Sequence, residues 1–203
     1  MGKLFELISD KALENALKQE KSLNKALGYS DLTECDVCGK FVADTFPYNG
    51  TQYDDDGNAL DSDYDPSNAC ADCILAGKVT HICDWEYIKT IGNYLDTQNL
   101  SAEEKEIKTE RLIEKYQRTP DIPIFMQYHD RPLCCGDITE FIGHPESNEE
   151  LYEISDYNYW EKGLKSKSKY ENFRKYGKPE SYRDVAAFQC SHCGKKYFTF
   201  QFT

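Results

Sequence analysis

Along the first 28 residues the apolar positions fall into three clusters, Leu4 with Leu7 and Ile8, Leu13 with Ala16 and Leu17, and Leu23 with Ala26 and Leu27. Spacings of three and four put such side chains on one face of a helix, and Gly28 is a natural stop. The pattern predicts one or two short helices that pack and carry no chemistry, so residues 1–30 form an N-terminal helical segment ahead of a domain spanning 31–203. A further helix opens at Ser101-Ala-Glu-Glu104, a capping box, carries Ile107, Leu112, Ile113 and Tyr116, and ends before Pro120. Glu104 and Lys108 stand four apart and can support it. At the C-terminus Phe198, Phe200 and Phe202 alternate with Tyr197, Thr199 and Gln201, the period of a half-buried strand.

Between these elements the pattern is rich in turns. Asn49-Gly50 and Asp56-Gly57 are both hairpin signals, and the Tyr and Phe around the first suit strands. Residues 74–95 read as mixed helix and turn, and His81 as an ordinary polar residue near a helix end. Pro120, Pro123 and Pro132 make 118–133 extended and irregular, and Cys134-Cys135-Gly136 reads as the entry to a short helix stopped by Gly143 and Pro145. The predicted fold class is therefore α+β, with short antiparallel strands and small units that need staples.

Composition says what the staples are. Of 203 residues 39% are apolar, 30% charged and 13% aromatic, so the cores are small and rich in Tyr and Phe. Glu6 and Asp10 interrupt any apolar leader, and no run approaches the roughly 18 apolar residues of a membrane span. A cytoplasmic, reducing location follows as the expectation, and there nine clustered cysteines bind metal sooner than each other.

Zinc takes four ligands in a tetrahedron, and a Cys-x-x-Cys turn presents two. Cys35/Cys38 and Cys70/Cys73 make one such set; Gly39 permits a tight knuckle, and Cys73-Ile-Leu-Ala is good helix sequence. Knuckle plus helix start is the treble-clef arrangement. Cys190/Cys193, followed by Gly194, repeats the knuckle, and its partner is the Cys134-Cys135 pair, which suggests the same two parts in reversed order. Adjacent side chains tend to diverge, so Cys135 is the firmer ligand of that pair, with His129, His144 or His192 as alternatives to Cys134. The expected cofactor is two zinc ions in treble-clef or zinc-ribbon-like units, with Cys83 left as a small buried residue. No His-Glu-x-x-His, phosphate loop or Gly-x-Ser-x-Gly is present, and an enzyme would have to rest on scattered residues such as Asp130 or Asp137.

The net charge of −12 is uneven: residues 161–183 hold eight Lys and Arg against three Glu, a net +5 that leaves −17 elsewhere. An acidic body attracts basic partners and repels nucleic acid. The acidic stretch Asp54, Asp55, Asp56, Asp61, Asp63 and Asp65 is the expected contact surface. It also faintly matches a calcium loop, but Gln52 falls at the first position and Asp63 stands for the final Glu, so a solvated loop is the better reading. Within the basic insertion, Tyr170, Phe173, Tyr176 and Tyr182 among the lysines define a second possibility, a zinc-dependent nucleic-acid-binding or regulatory module.

The ordered motifs resemble the CbrC family of bacterial proteins. Those that carry the resemblance are Cys35-x-x-Cys38-Gly39, the Tyr48, Gly50 and Tyr53 stretch, Cys70-x-x-Cys73-Ile74 to Gly77, Arg118-Thr119-Pro120, Cys135-Gly136-Asp137 to Gly143, and the terminal Cys190-x-His192-Cys193-Gly194. The resemblance runs from about residue 35 to the end, and departs from the family where Cys134 replaces a usual His. It implies a toxin-tolerance role. The expectation is a non-enzymatic zinc-binding protein of the immunity type that binds and neutralises a basic toxin domain, a nuclease included, with no membrane and no small-molecule substrate.

Overall fold

The computed structural model of the protein describes residues 3–28, 30, 32–54, 56–60, 67–81, 85–125, 130–160 and 172–201. Helix α1 (Asp10–Leu27) begins where Ser9 accepts the Ala12 N–H on its side chain and stops at Gly28, whose φ of 75° lets its N–H reach the Asn24 and Lys25 carbonyls. Only its first turns are buried, through Ala12 and Leu13, whereas Leu23 and Leu27 face solvent. Ahead of it Phe5, Leu7 and Ile8 are buried, and the backbone at Ile8 bridges in parallel to Phe141. Fully buried Arg131 donates to the Leu7 carbonyl at 3.1 Å and to the Ile122 carbonyl, tying this segment into the main core.

The first half is a set of two-stranded pairs. Strands β1 (Thr33–Glu34) and β2 (Phe41–Val42) form an antiparallel hairpin; β3 (Phe46–Pro47) pairs with β5 (Asn68–Ala69), and β4 (Gly50–Gln52) with β6 (Val79–His81), with helix α2 (Ala71–Leu75) between β5 and β6. Asn49-Gly50 is therefore not a hairpin turn, because β3 and β4 take their partners from later in the chain. Asp56-Gly57 is one: the Gly57 N–H meets the Asp54 carbonyl, and Tyr53 bridges Ala59 antiparallel. His81 ends a strand rather than a helix.

Helices α3 (Trp85–Asp96) and α4 (Ala102–Gln117) pack together, with the Tyr87 and Tyr116 rings 5.0 Å apart. Both halves of the capping box at Ser101 and Glu104 form, and the helix ends at Gln117 as Pro120 requires. Among the described residues no helix is long and apolar enough to cross a membrane.

The second half contains the hairpin of β7 (Leu133–Cys134) and β8 (Asp137–Ile138), then β9 (Glu140–Gly143), α5 (Asn148–Ile154), β10 (Asn158–Tyr159), α6 (Phe173–Tyr176), β11 (Val185–Gln189) and β12 (Lys196–Phe200). The order in the sheet is β10-β12-β11-β9, with only β10 and β12 parallel. Because side chains alternate along a strand, this sheet divides two cores. Phe141, Ala186, Phe188 and Tyr197 join the main core, while Val185, Ala187, Phe198 and Phe200 join a second one with Leu151, Tyr159 and Phe173. Each such aromatic side chain contributes about 1.5–3 kcal/mol by leaving water. The alternation predicts a half-buried β12, yet Tyr197 and Thr199 are buried as well, since a core packs on each face of the sheet. The architecture is α+β, with mixed helices and short, mainly antiparallel strands.

Candidate metal centres

In the first centre, Cys35 and Cys38 flank the turn of the β1–β2 hairpin, where Gly39 at φ 67° sends its N–H to the Cys35 carbonyl at 2.8 Å and the Cys35 N–H meets the Lys40 carbonyl at 2.9 Å. Cys70 caps α2 and Cys73 lies in its first turn. The expected knuckle and helix start are thus both present. The Sγ pairs Cys35–Cys73 and Cys38–Cys70 are each 4.0 Å apart, and all four sulfurs lie within 4.8 Å of one another. A tetrahedron with metal–sulfur bonds of about 2.3 Å has edges of about 3.8 Å, whereas a disulfide would need about 2.05 Å. The spacing fits a metal ion and all four thiols are free.

The second centre uses the same knuckle. The Gly194 N–H meets the Cys190 carbonyl and the Cys190 N–H the Lys195 carbonyl, both at 2.9 Å. Its partner differs from the expectation: Cys134-Cys135 does not start a helix. Cys134 and Asp137 pair across the β7–β8 hairpin, and Cys135 and Gly136 form its two-residue turn with φ of 53° and 73°. Positive φ at both positions is the signature of a primed hairpin turn. Consecutive strand residues point to opposite faces, but the left-handed backbone at Cys135 swings its sulfur back beside that of Cys134, 3.9 Å away. Cys134 Sγ is 3.5 Å from Cys193 Sγ, and Cys134, Cys135, Cys190 and Cys193 all lie within 4.8 Å of one another. Two facing hairpins give this centre a zinc-ribbon-like form.

Histidine is not needed as a fourth ligand. His144 Nδ1 donates to the Val185 carbonyl at 2.9 Å with its ring against Phe141, and His192 Nε2 lies 3.1 Å from Asp137 Oδ2. His129 lies outside the described residues, as does Cys83.

The thiols show why these clusters want a cation. Burial opposes ionisation of Cys35, but the backbone N–H groups of Cys70, Cys38 and Val37 outweigh it and bring that thiol down to about 7. Burial, then the neighbouring sulfurs, drives Cys73 far above the thiol range. In the second centre the Lys195 N–H brings Cys193 down to about 7, while burial pushes Cys134 up to about 12 even though the Tyr197 hydroxyl donates to its sulfur at 3.2 Å. One thiolate in each cluster is easy and the others repel it; a divalent ion removes that repulsion and favours all four thiolates.

Around the second centre stand residues that sequence reasoning did not assign to it. Lys115 Nζ lies 3.0 Å from Asp137 Oδ1, and Lys115 and His192 hold Asp137 below the usual carboxylate range against its burial. The Tyr94 hydroxyl accepts the Gly136 N–H at 3.0 Å. Only the Cys-Gly-Asp motif hinted at this; nothing in the sequence ties Lys115 or Tyr94 to it. Asp130 is buried and accepts the Trp160 Nε1–H at 2.7 Å, a packing contact.

Of the acidic stretch, Asp54 closes its own turn, accepting the Asp56 and Asn58 N–H groups at 3.0 and 2.8 Å, and Asp56 is exposed. Asp55, Asp61, Asp63 and Asp65 lie outside the described residues. In the basic insertion Phe173 is buried in the second core, and Tyr182 packs half-buried against that core with its hydroxyl donating to Asn148 at 2.6 Å, so Phe173 has no face to offer a base and Tyr182 only part of one. Lys165, Lys167, Lys169 and Tyr170 lie outside the described residues.

Fold and sites together define an α+β chain with two four-cysteine clusters, each able to hold a metal ion. The chain belongs to the uncharacterised protein family UPF0167, whose model matches residues 19–202 and so takes in both clusters. No curated protein and no solved structure matches it.

Proposed function

We propose that the chain is a non-enzymatic zinc-binding protein in which two four-sulfur sites hold a binding surface together. The observation that carries this reading is the convergence of all four sulfurs within 4.8 Å at each cluster. Soft thiolates in tetrahedral array suit zinc, and four of them leave no coordination position for a water or a substrate. The test is metal content per chain. Two zinc ions are expected, one lost in Cys35→Ser and the other in Cys190→Ser. A chain that binds fewer than two zinc ions, or whose zinc survives both substitutions, overturns the reading.

The finer part of the proposal is a toxin-tolerance role in the cytoplasm, with a basic toxin domain as the partner. The CbrC resemblance supports it, as does the net charge of −12, which steers a basic protein towards this one. Asp56 and its acidic neighbours in sequence supply the contact. A basic colicin-type nuclease domain is the probe: complex formation and protection of cells are expected. Absence of both would sink the toxin role and leave the zinc reading standing.

A further inference from the structure

The two clusters differ in how they meet solvent. In the first, Cys35, Cys70 and Cys73 are buried, Cys38 is half-buried, and Val37 and Val42 pack against the sulfurs. Its knuckle is tied down from outside. Asp36 Oδ2 accepts from the Ser67 N–H, the Ser67 hydroxyl and the Asn68 N–H at 2.8–3.0 Å, and Gln52 Nε2 donates to the Val37 carbonyl at 3.2 Å. In the second, Cys134 and Cys190 are buried, but Cys135 and Cys193 are both exposed, one at each hairpin tip. Residues 191–195 are exposed without a break, and Cys193 and Cys135 sulfurs lie within 4.8 Å of each other.

We propose that the second cluster is a modification site, at which a hydroperoxide-class oxidant joins Cys193 to Cys135 and frees the metal ion, while the first cluster is spared. The inference rests on the zinc reading above. Access selects the cysteine, since oxidation of thiolates follows their exposure. The Cys193 thiolate attacks the O–O bond of hydrogen peroxide, giving S–OH and a hydroxide that leaves as water on taking a proton. The Cys135 thiolate then displaces the hydroxyl as hydroxide, which takes a second proton from solvent and leaves as a second water, and the S–S bond forms. Two electrons pass from the two sulfurs to the peroxide. With two of four ligands lost, Cys134 and Cys190 each take up a proton and the site no longer holds zinc. Both of these sulfurs are exposed and already within 4.8 Å of each other, so closure needs only a short approach of the two hairpin tips.

The experiment uses the full chain as isolated with its metal. Its zinc content is measured first; then one equivalent of hydrogen peroxide is added, release is followed with a chromogenic zinc chelator, and the unreduced digest is sequenced by mass spectrometry. The expected result is loss of one of the two ions, a Cys193–Cys135 cross-link, thiols intact at Cys35, Cys38, Cys70 and Cys73, and recovery of the lost ion with reductant and zinc. Two ions released together, earlier oxidation of the first cluster, or release without that cross-link overturns this inference alone. Fewer than two ions before oxidation overturns the zinc reading, and this inference with it. Every arm reads the native chain, so no result depends on whether a cysteine variant folds.

Discussion

At φ 53° Cys135 holds a left-handed conformation that costs a residue with a Cβ about 1–2 kcal/mol. The hairpin sustains it because Gly136 beside it takes φ 73° without that cost, and the Lys108 side chain fills the place a Cβ on Gly136 would take. Gly136→Ala brings the penalty to a second consecutive residue and sets a Cβ 3.0 Å from Lys108 Cε. The expected outcome is a loss of about 1–2 kcal/mol of stability in urea unfolding together with the second zinc ion, the first being retained. A variant that keeps both ions and full stability would show that the turn does not set the second centre.

At the scale of elements, the four-stranded sheet joins the knuckle at Cys190 and Cys193 to both cores, and its edge strand β9 leads directly to His144. Burial pushes the His144 imidazole below its ordinary 6.5, and the nearby Arg183 acts in the same direction against the Val185 carbonyl and Asp184. The unfolded chain therefore binds this proton first as pH falls. Its contribution is complete above about pH 6.5 and is lost progressively below that, down to the lower folded value. His144→Asn removes the titration, so the wild type is expected to lose stability faster than the variant between about pH 7 and about pH 5. Parallel unfolding midpoints across that range would refute the assignment.

For the molecule as a whole, charge is the property that a partner meets first. If a basic toxin domain is the partner, its association rate falls steeply as salt rises through a Debye length of about 10 Å at 0.1 M, while dissociation changes little. Stopped-flow rates at two salt concentrations check this, and a salt-independent rate removes electrostatic steering from the account. Local chemistry made much of the fold legible beforehand. The capping box at Ser101 and Glu104, the stop at Gly28, the Asp56-Gly57 turn and the knuckles with Gly39 and Gly194 all depend on a few neighbouring residues. What was misread depended on distant partners. Asn49-Gly50 looks like a hairpin, but β3 and β4 are claimed by β5 and β6, and β12 is buried on both faces because a core packs on each side of the sheet.

The eight cysteines show the same division. The sequence alone determined the first set of four and the three sulfurs Cys135, Cys190 and Cys193 of the second, because a Cys-x-x-Cys turn is a local structure that presents two sulfurs wherever it occurs, but it left a histidine as an alternative to Cys134. Whether Cys134 and Cys135 could serve one site was decided only by the tertiary structure: the β7–β8 pairing forces a two-residue turn, and that turn sets the φ that brings adjacent sulfurs to one side. Solvent access was decided there too. Packing buries the sulfurs of the first centre and leaves Cys135 and Cys193 open, a difference between chemically identical ligand sets that arises from what folds over them.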